Sequence, residues 1–216
     1  PTDYAGFGSS GSASMWFRMD SYNPPPFSGA TNNSTLFMDI GGVRCDNCGG
    51  PMMQLGITRQ SEPTTGGGRL FFYPYRNAQT GWTNFVASDH VVTLGQWTHV
   101  AVTWQWDPVP ANRSVEIYIN GTLDPLFSGT RYNLPWVQSL WNTPVLDSQF
   151  TGWYLSQFGG NGISPEYTPL WGGMADFALF RNVLDFDEVQ DVYNCGVEGY
   201  LAGGCAAQEP NPTPQG

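Results

Sequence analysis

"VEIYINGT", residues 115–122, decides the fold. Val115, Ile117 and Ile119 alternate with Glu116 and Tyr118, a period of two that predicts a half-buried strand. Asn120-Gly121 follows at once and predicts a tight hairpin turn with φ > 0 at both residues, sending the chain back toward Leu123. Upstream, the loop "DPVPANR" joins this strand to the clearest one, "QWTHVAVTWQW", residues 96–106. There Trp97, His99, Ala101, Thr103 and Gln105 share one face, and Thr98, Val100, Val102, Trp104 and Trp106 share the other.

The same pattern recurs along the chain. Met15, Phe17 and Met19 share a face; Leu36 to Ile40, Met53 to Thr58 and the aromatic run Arg69 to Tyr75 follow. A weaker strand lies within "NFVASDHVV", and order returns at "WYLSQFGG" and "GGMADFALF", where Phe177 and Leu179 oppose Asp176, Ala178 and Phe180. From Pro125 to Thr151 the pattern is poor. One helix is predicted: Asp185 and Glu188 fit a capping box, Val189, Val192 and Tyr193 form an apolar stripe, and Gly196 can end it after two to three turns. Many short strands, Gly/Pro turns and one short C-terminal helix predict an all-β, two-sheet antiparallel jelly-roll sandwich. It occupies residues 1–205, and residues 206–216 form a Pro-rich tail or linker.

Composition agrees. The chain has 216 residues, 40% hydrophobic, which is enough for one large β-domain core; only 12% are charged. The 27 Gly and 17 Pro are spread along the chain, as many turns require. Net charge is −10, and all eight basic residues are Arg. That acidity argues against nucleic acid and anionic membranes, and no run reaches the ~18–20 apolar residues of a membrane span. The first residue is Pro1 rather than Met, so the chain reads as a processed or trimmed piece.

Four cysteines fit an oxidising compartment. Three pairings exist; Cys45–Cys48 and Cys195–Cys205 are favoured, since each pair is close in sequence and flanked by Gly. Half a zinc site or a redox motif is the rival reading of "CDNC". N-glycosylation acceptors occur at Asn32, Asn33, Asn112 and Asn120. The turn geometry disfavours Asn120, so Asn33 and Asn112, on longer loops, rank above it. Together these features predict an extracellular or cell-surface protein of the secretory pathway.

No catalytic pattern stands out. Glycoside hydrolysis needs two carboxylates across the scissile bond. The one dense acidic stretch, Asp185, Asp187, Glu188 and Asp191, reads as a helix start. His90 and His99 are the only histidines, and no "GxSxG" elbow accompanies them. Aromatics offer a binding argument instead, because pyranose C–H patches stack on aromatic faces while polar neighbours take the hydroxyls. Tyr73 with Tyr75, or Trp104 with Trp106, share a face and are the candidate platforms, although core packing competes at each position.

Three segments carry a family resemblance. "LGQWTHVAVTW" followed by "VEIYINGTL", "GGMADFALFRNVLDFDEVQDVYNCG", and "SASMWFRMDS…TLFMDIGG" together span roughly residues 13 to 196. The chain resembles the concanavalin A-like lectin/glucanase jelly roll, in particular its laminin G-like and pentraxin-like modules. It departs from that pattern in the Pro-rich loop near Pro24, the cysteine loop, and Pro125 to Thr151. The resemblance implies a sandwich used mainly for binding glycans or extracellular glycoproteins. It also implies a calcium ion at the rim in many relatives; Asp39, Asp107 and Asp176, near strand ends, are the candidate ligands by that analogy. Glucanases of this fold carry a Glu-x-Asp-x-x-Glu type run on one strand, which is absent here. The expectation is therefore a non-catalytic extracellular binding module. The alternative is a self-assembling building block of a cell-surface, fibre or adhesive structure, and a glycoside hydrolase ranks last.

Overall fold

The structure, a computed structural model, describes residues 9–21, 34–41, 52–58, 68–76, 85–128, 134–140, 152–155, 167–168 and 170–203. Among the described residues, eleven strands and two α-helices run in the order β1 Ser10–Met19, β2 Ser34–Gly41, β3 Met52–Ile57, β4 Arg69–Arg76, β5 Val86–Val91, β6 Trp97–Gln105, β7 Ser114–Ile119, β8 Thr122–Leu123, α1 Leu134–Leu140, β9 Gly152–Leu155, β10 Tyr167–Thr168, β11 Gly172–Phe180 and α2 Phe186–Leu201. One sheet has the order β11-β1-β6-β7-β8. The other has the order β10-β2-β3-β4-β5, with β9 also paired to β2. Pairing is antiparallel except for the two-residue β10–β2 bridge, which is parallel.

The opening stretch forms as its pattern dictates. Val115, Ile117 and Ile119 enter the core between the sheets, and φ is 49° at Asn120 and 74° at Gly121, the two positive values of a primed hairpin turn. Val100, Val102 and Trp104 of β6, Met15, Phe17 and Met19 of β1, and Leu55, Ile57, Leu70 and Phe72 of the facing sheet fill the same layer. Each such side chain, removed from water, contributes roughly 1.5–3 kcal/mol.

The opposite face of the five-stranded sheet is buried too. Ala101, Tyr118 and Phe180 pack with Leu184 and with Val189 and Val192 of α2. The alternation is thus apolar-in and helix-covered-out, so Tyr118, expected to point outward, is 2% exposed. The predicted capping box forms: the Glu188 N–H donates to Asp185 Oδ1 and the Asp185 N–H to Glu188 Oε2, both at 2.9 Å.

Gly196, expected to end the helix, interrupts it instead. Its φ of 70° and ψ of 172° kink the chain, and helix resumes to Leu201. A further two-turn helix, α1, lies in the segment whose pattern was poor. It docks through Arg113, which is 4% exposed and donates to the carbonyls of Asp107, Pro108 and, in α1, Gln138. The predicted tail, residues 206–216, lies outside the described residues.

Candidate functional site

Three places concentrate chemistry-bearing side chains. The first lies beneath α2. Ser14 Oγ and His99 Nε2 are 2.9 Å apart, and the imidazole is flanked by Trp16 and Tyr193 at centroid distances of 5.4 and 5.3 Å. Burial lowers the His99 pKa from 6.5 to about 4, because a charged ring there would lose its hydration. Nδ1 has no hydrogen-bond partner among the described residues, so none of their carboxylates orients the ring. Ser14 and His99 are each 1% exposed. A hydrolytic pair needs an oriented base and substrate access; among the described residues this pair has no orienting partner at Nδ1, and both side chains are buried.

The second is the outer face of the six-stranded sheet. Phe71, Tyr73 and Phe85 pack with centroids 4.9–5.5 Å apart, joined by Ala87 and the half-buried Phe127. The Arg69 guanidinium lies 4.7 Å from the Phe127 ring centroid. It also hydrogen-bonds the Asp89 backbone carbonyl. These rings are covered: Phe71 and Tyr73 are each 2% exposed.

This corrects the platform expectation at two positions. Tyr73 belongs to that covered cluster, and Trp104, 0% exposed, packs on Phe72 in the central core. Trp104 shares the face of Val100 and Val102, and that face is the interior. Trp106 is half-buried against the core, with Arg113 5.6 Å from its ring. Tyr75 falls within β4, and its side chain lies outside the described residues.

The third place is the end of the five-stranded sheet where β1 finishes and β6 and β11 begin. Register sets Arg18 opposite Trp97 on one side and Gly173 on the other. The Trp97 ring reaches over Gly173, where a Cβ would stand 2.9 Å from Cη2. The Arg18 guanidinium covers that ring at 5.6 Å, and its Nε and Nη2 donate to the Asp20 carboxylate at 3.0 and 3.4 Å. The Asp20 N–H donates to the Trp171 carbonyl at 2.7 Å, while the Trp171 side chain is 52% exposed. Trp97 Nε1 is buried without a hydrogen-bond partner among the described residues. Trp97 and Trp171 stand out in the sequence as aromatics, but Arg18-x-Asp20 has no motif; only the register brings it to them.

The candidate calcium ligands sit on separate elements. Asp39 lies within β2, paired with Gln54 and Tyr154. Asp107 Oδ1 accepts from the Val109 N–H at 2.7 Å and from Asn112 Nδ2 at 3.4 Å. Asp176 occupies the β11 bulge at φ 49°, and its Oδ2 accepts from the Val197 N–H. Among the described residues no three His, Cys, Asp or Glu side chains gather around one point.

Asn112 is exposed in a 3-10 turn, Pro110–Asn112. Asn120 is exposed, with its Oδ1 accepting from the His99 N–H at 2.9 Å. Asn32, Asn33, Cys45, Cys48 and Cys205 lie outside the described residues. Cys195, in α2, is disulfide-bonded.

Two β-sheets packed face to face, one with its outer face covered by a helix, define a jelly-roll sandwich. The chain belongs to the concanavalin A-like lectin/glucanases superfamily, whose laminin G-type model matches residues 2–190. No curated protein sequence matches it.

Among solved structures it is similar to the CBM40 of the Ruminococcus gnavus IT-sialidase bound to α2,3-sialyllactose. Identity there is 17%, coverage 86% of this chain and 83% of that one, and the TM-score 0.51. It is also similar to a leech intramolecular trans-sialidase, at 17% identity, 88% and 24% coverage and a TM-score of 0.50. A third similar structure is the heptameric SAP-like pentraxin of Limulus polyphemus, at 14% identity, 86% and 70% coverage and a TM-score of 0.49. At these identities the likeness to the CBM40 and the trans-sialidase is one of fold alone.

Proposed function

We propose that this chain is a non-catalytic, extracellular glycan-binding module that reads its ligand at the rim formed by β1, β6 and β11. The observation that carries the reading is the half-exposed Trp171 set beside the Arg18–Asp20 pair on a lectin-superfamily sandwich. An aromatic face with adjoining donors and acceptors is what a sugar ring needs. The buried Ser14–His99 pair, and Asp185 and Glu188 engaged in the capping box, support a role without turnover. Cys195 in a disulfide and the exposed sequon at Asn112 support secretion. Calcium at the rim and glycoprotein partners belong to the same reading. None of the described residues forms a helix long and apolar enough to cross a membrane.

The test is a glycan array of the glycosylated protein with and without chelator, alongside a reducing-sugar assay. Binding without sugar release is expected, and loss of binding with chelator would assign a calcium role. A protein that binds no sugar sinks the glycan reading; sugar release sinks the non-catalytic one.

A further inference from the structure

We infer that the rim takes an uncharged pyranose, stacked on Trp171 and held by neighbouring hydroxyls bridging Arg18 and Asp20. This rests on the glycan-binding reading above and narrows it to a ligand class. Trp171 is fixed by its backbone, since its carbonyl accepts from the Asp20 N–H at 2.7 Å, yet half of its side chain faces solvent. The exposed indole offers apolar area to a ligand at a position whose backbone is tied to Asp20.

The polar half of the site is preorganised too. Asp20 engages Nε and Nη2 of Arg18, which leaves Nη1 as a donor with no described contact and spare lone pairs on the carboxylate. A vicinal diol matches that set: one hydroxyl accepts from the guanidinium and the next donates to the carboxylate. Gly172 adds no side chain beside them, since a Cβ there would overlap the Arg18 carbonyl oxygen; at Gly173 the Trp97 ring fills the space a Cβ would take and backs the Arg18 guanidinium.

Charge decides the class. Asp20 neutralises Arg18 within the site, and the whole chain carries −10. A carboxylated sugar would have to displace Asp20 from Arg18 while approaching an acidic surface. A neutral ring meets neither obstacle.

The experiment uses the full chain with saturation-transfer NMR and calorimetry. The panel holds neutral galactose-, glucose-, mannose- and fucose-terminated oligosaccharides, sialyllactose and glucuronate-terminated glycans. A neutral glycan is expected to bind at least tenfold more tightly than any anionic one. Trp171→Ala, an exposed change that leaves the melting curve in place, is expected to weaken binding at least tenfold. Asp20→Asn is expected to weaken the neutral ligand and to narrow its advantage over the anionic ones. Preference for sialyllactose or glucuronate overturns the assignment. Neutral-glycan binding that survives Trp171→Ala overturns this site while leaving the glycan reading intact, and failure to bind any glycan overturns both.

Discussion

Asp176 Oδ2 accepts a hydrogen bond from the Val197 N–H at 3.2 Å. One carboxylate thereby joins two irregularities, the β11 bulge at φ 49° and the α2 kink at Gly196, φ 70°. Val197 is the first residue of the resumed helix, so Asp176 caps it from another element. Asp176→Ala loses the acceptor and places a Cβ residue without a polar side chain in the left-handed region. We expect it to destabilise the fold by about 1–2 kcal/mol, with Asp176→Asn costing clearly less. Urea denaturation of the three proteins checks this, and equal losses for Ala and Asn would contradict the cap.

His99 makes stability depend on pH. Its folded-state pKa is about 4 against 6.5 unfolded. Between these values the unfolded chain binds a proton that the folded chain refuses, so stability falls as pH drops from 6.5 toward 4. The slope approaches roughly 1.4 kcal/mol per pH unit in mid-window, and above pH 6.5 this contribution is flat. Urea midpoints from pH 5 to 7 should show the slope in the native chain and lose it in His99→Gln, where the exposed His90 remains as a control. A native chain with no slope would show that His99 is solvated.

Trp104 separates core from ligand contact. It is fully buried against Phe72, with centroids 5.4 Å apart. Trp104→Ala opens a large cavity and is expected to cost about 3–5 kcal/mol. A platform residue would instead lose ligand and keep stability, so melting temperature and glycan affinity measured together discriminate the two.

Arg113 holds α1 through geometry that lysine cannot copy. Its guanidinium serves three carbonyls in different directions, and Gln138 Nε2 returns a bond to the Arg113 carbonyl at 2.5 Å. Arg113→Lys leaves carbonyls unmet and is expected to cost about 2–3 kcal/mol. Limited proteolysis should then cut near α1 before the sandwich unfolds; unchanged protection there would refute the tether.

The sandwich was legible because its strands are written with a strict period of two, and Asn120-Gly121 demands one turn type. The capping box at Asp185 and Glu188 was legible because both partners lie within four residues. Other features depend on contacts distant in sequence. Gly196 reads as a stop signal, and only the acceptor supplied by Asp176, twenty residues earlier in the chain, lets helix restart after it. Trp104 and Trp106 alternate as platform residues would, and only the second sheet shows which face is interior. The rim behaves likewise: Arg18, Trp97 and Gly173 are far apart in the chain and meet through strand register.

The position of α2 also bears on synthesis. Ser12 Oγ accepts from the Leu184 N–H at 2.8 Å, and the hairpin carbonyl of Gly121 accepts from Gln190 Nε2 at 2.5 Å. The first strand and the Asn-Gly hairpin therefore wait for residues beyond 180 to leave the ribosome. Until then Ala101, Tyr118 and Phe180 have no cover. A nascent chain stalled before α2 leaves this apolar face exposed, and the five-stranded sheet is covered only once α2 has been made.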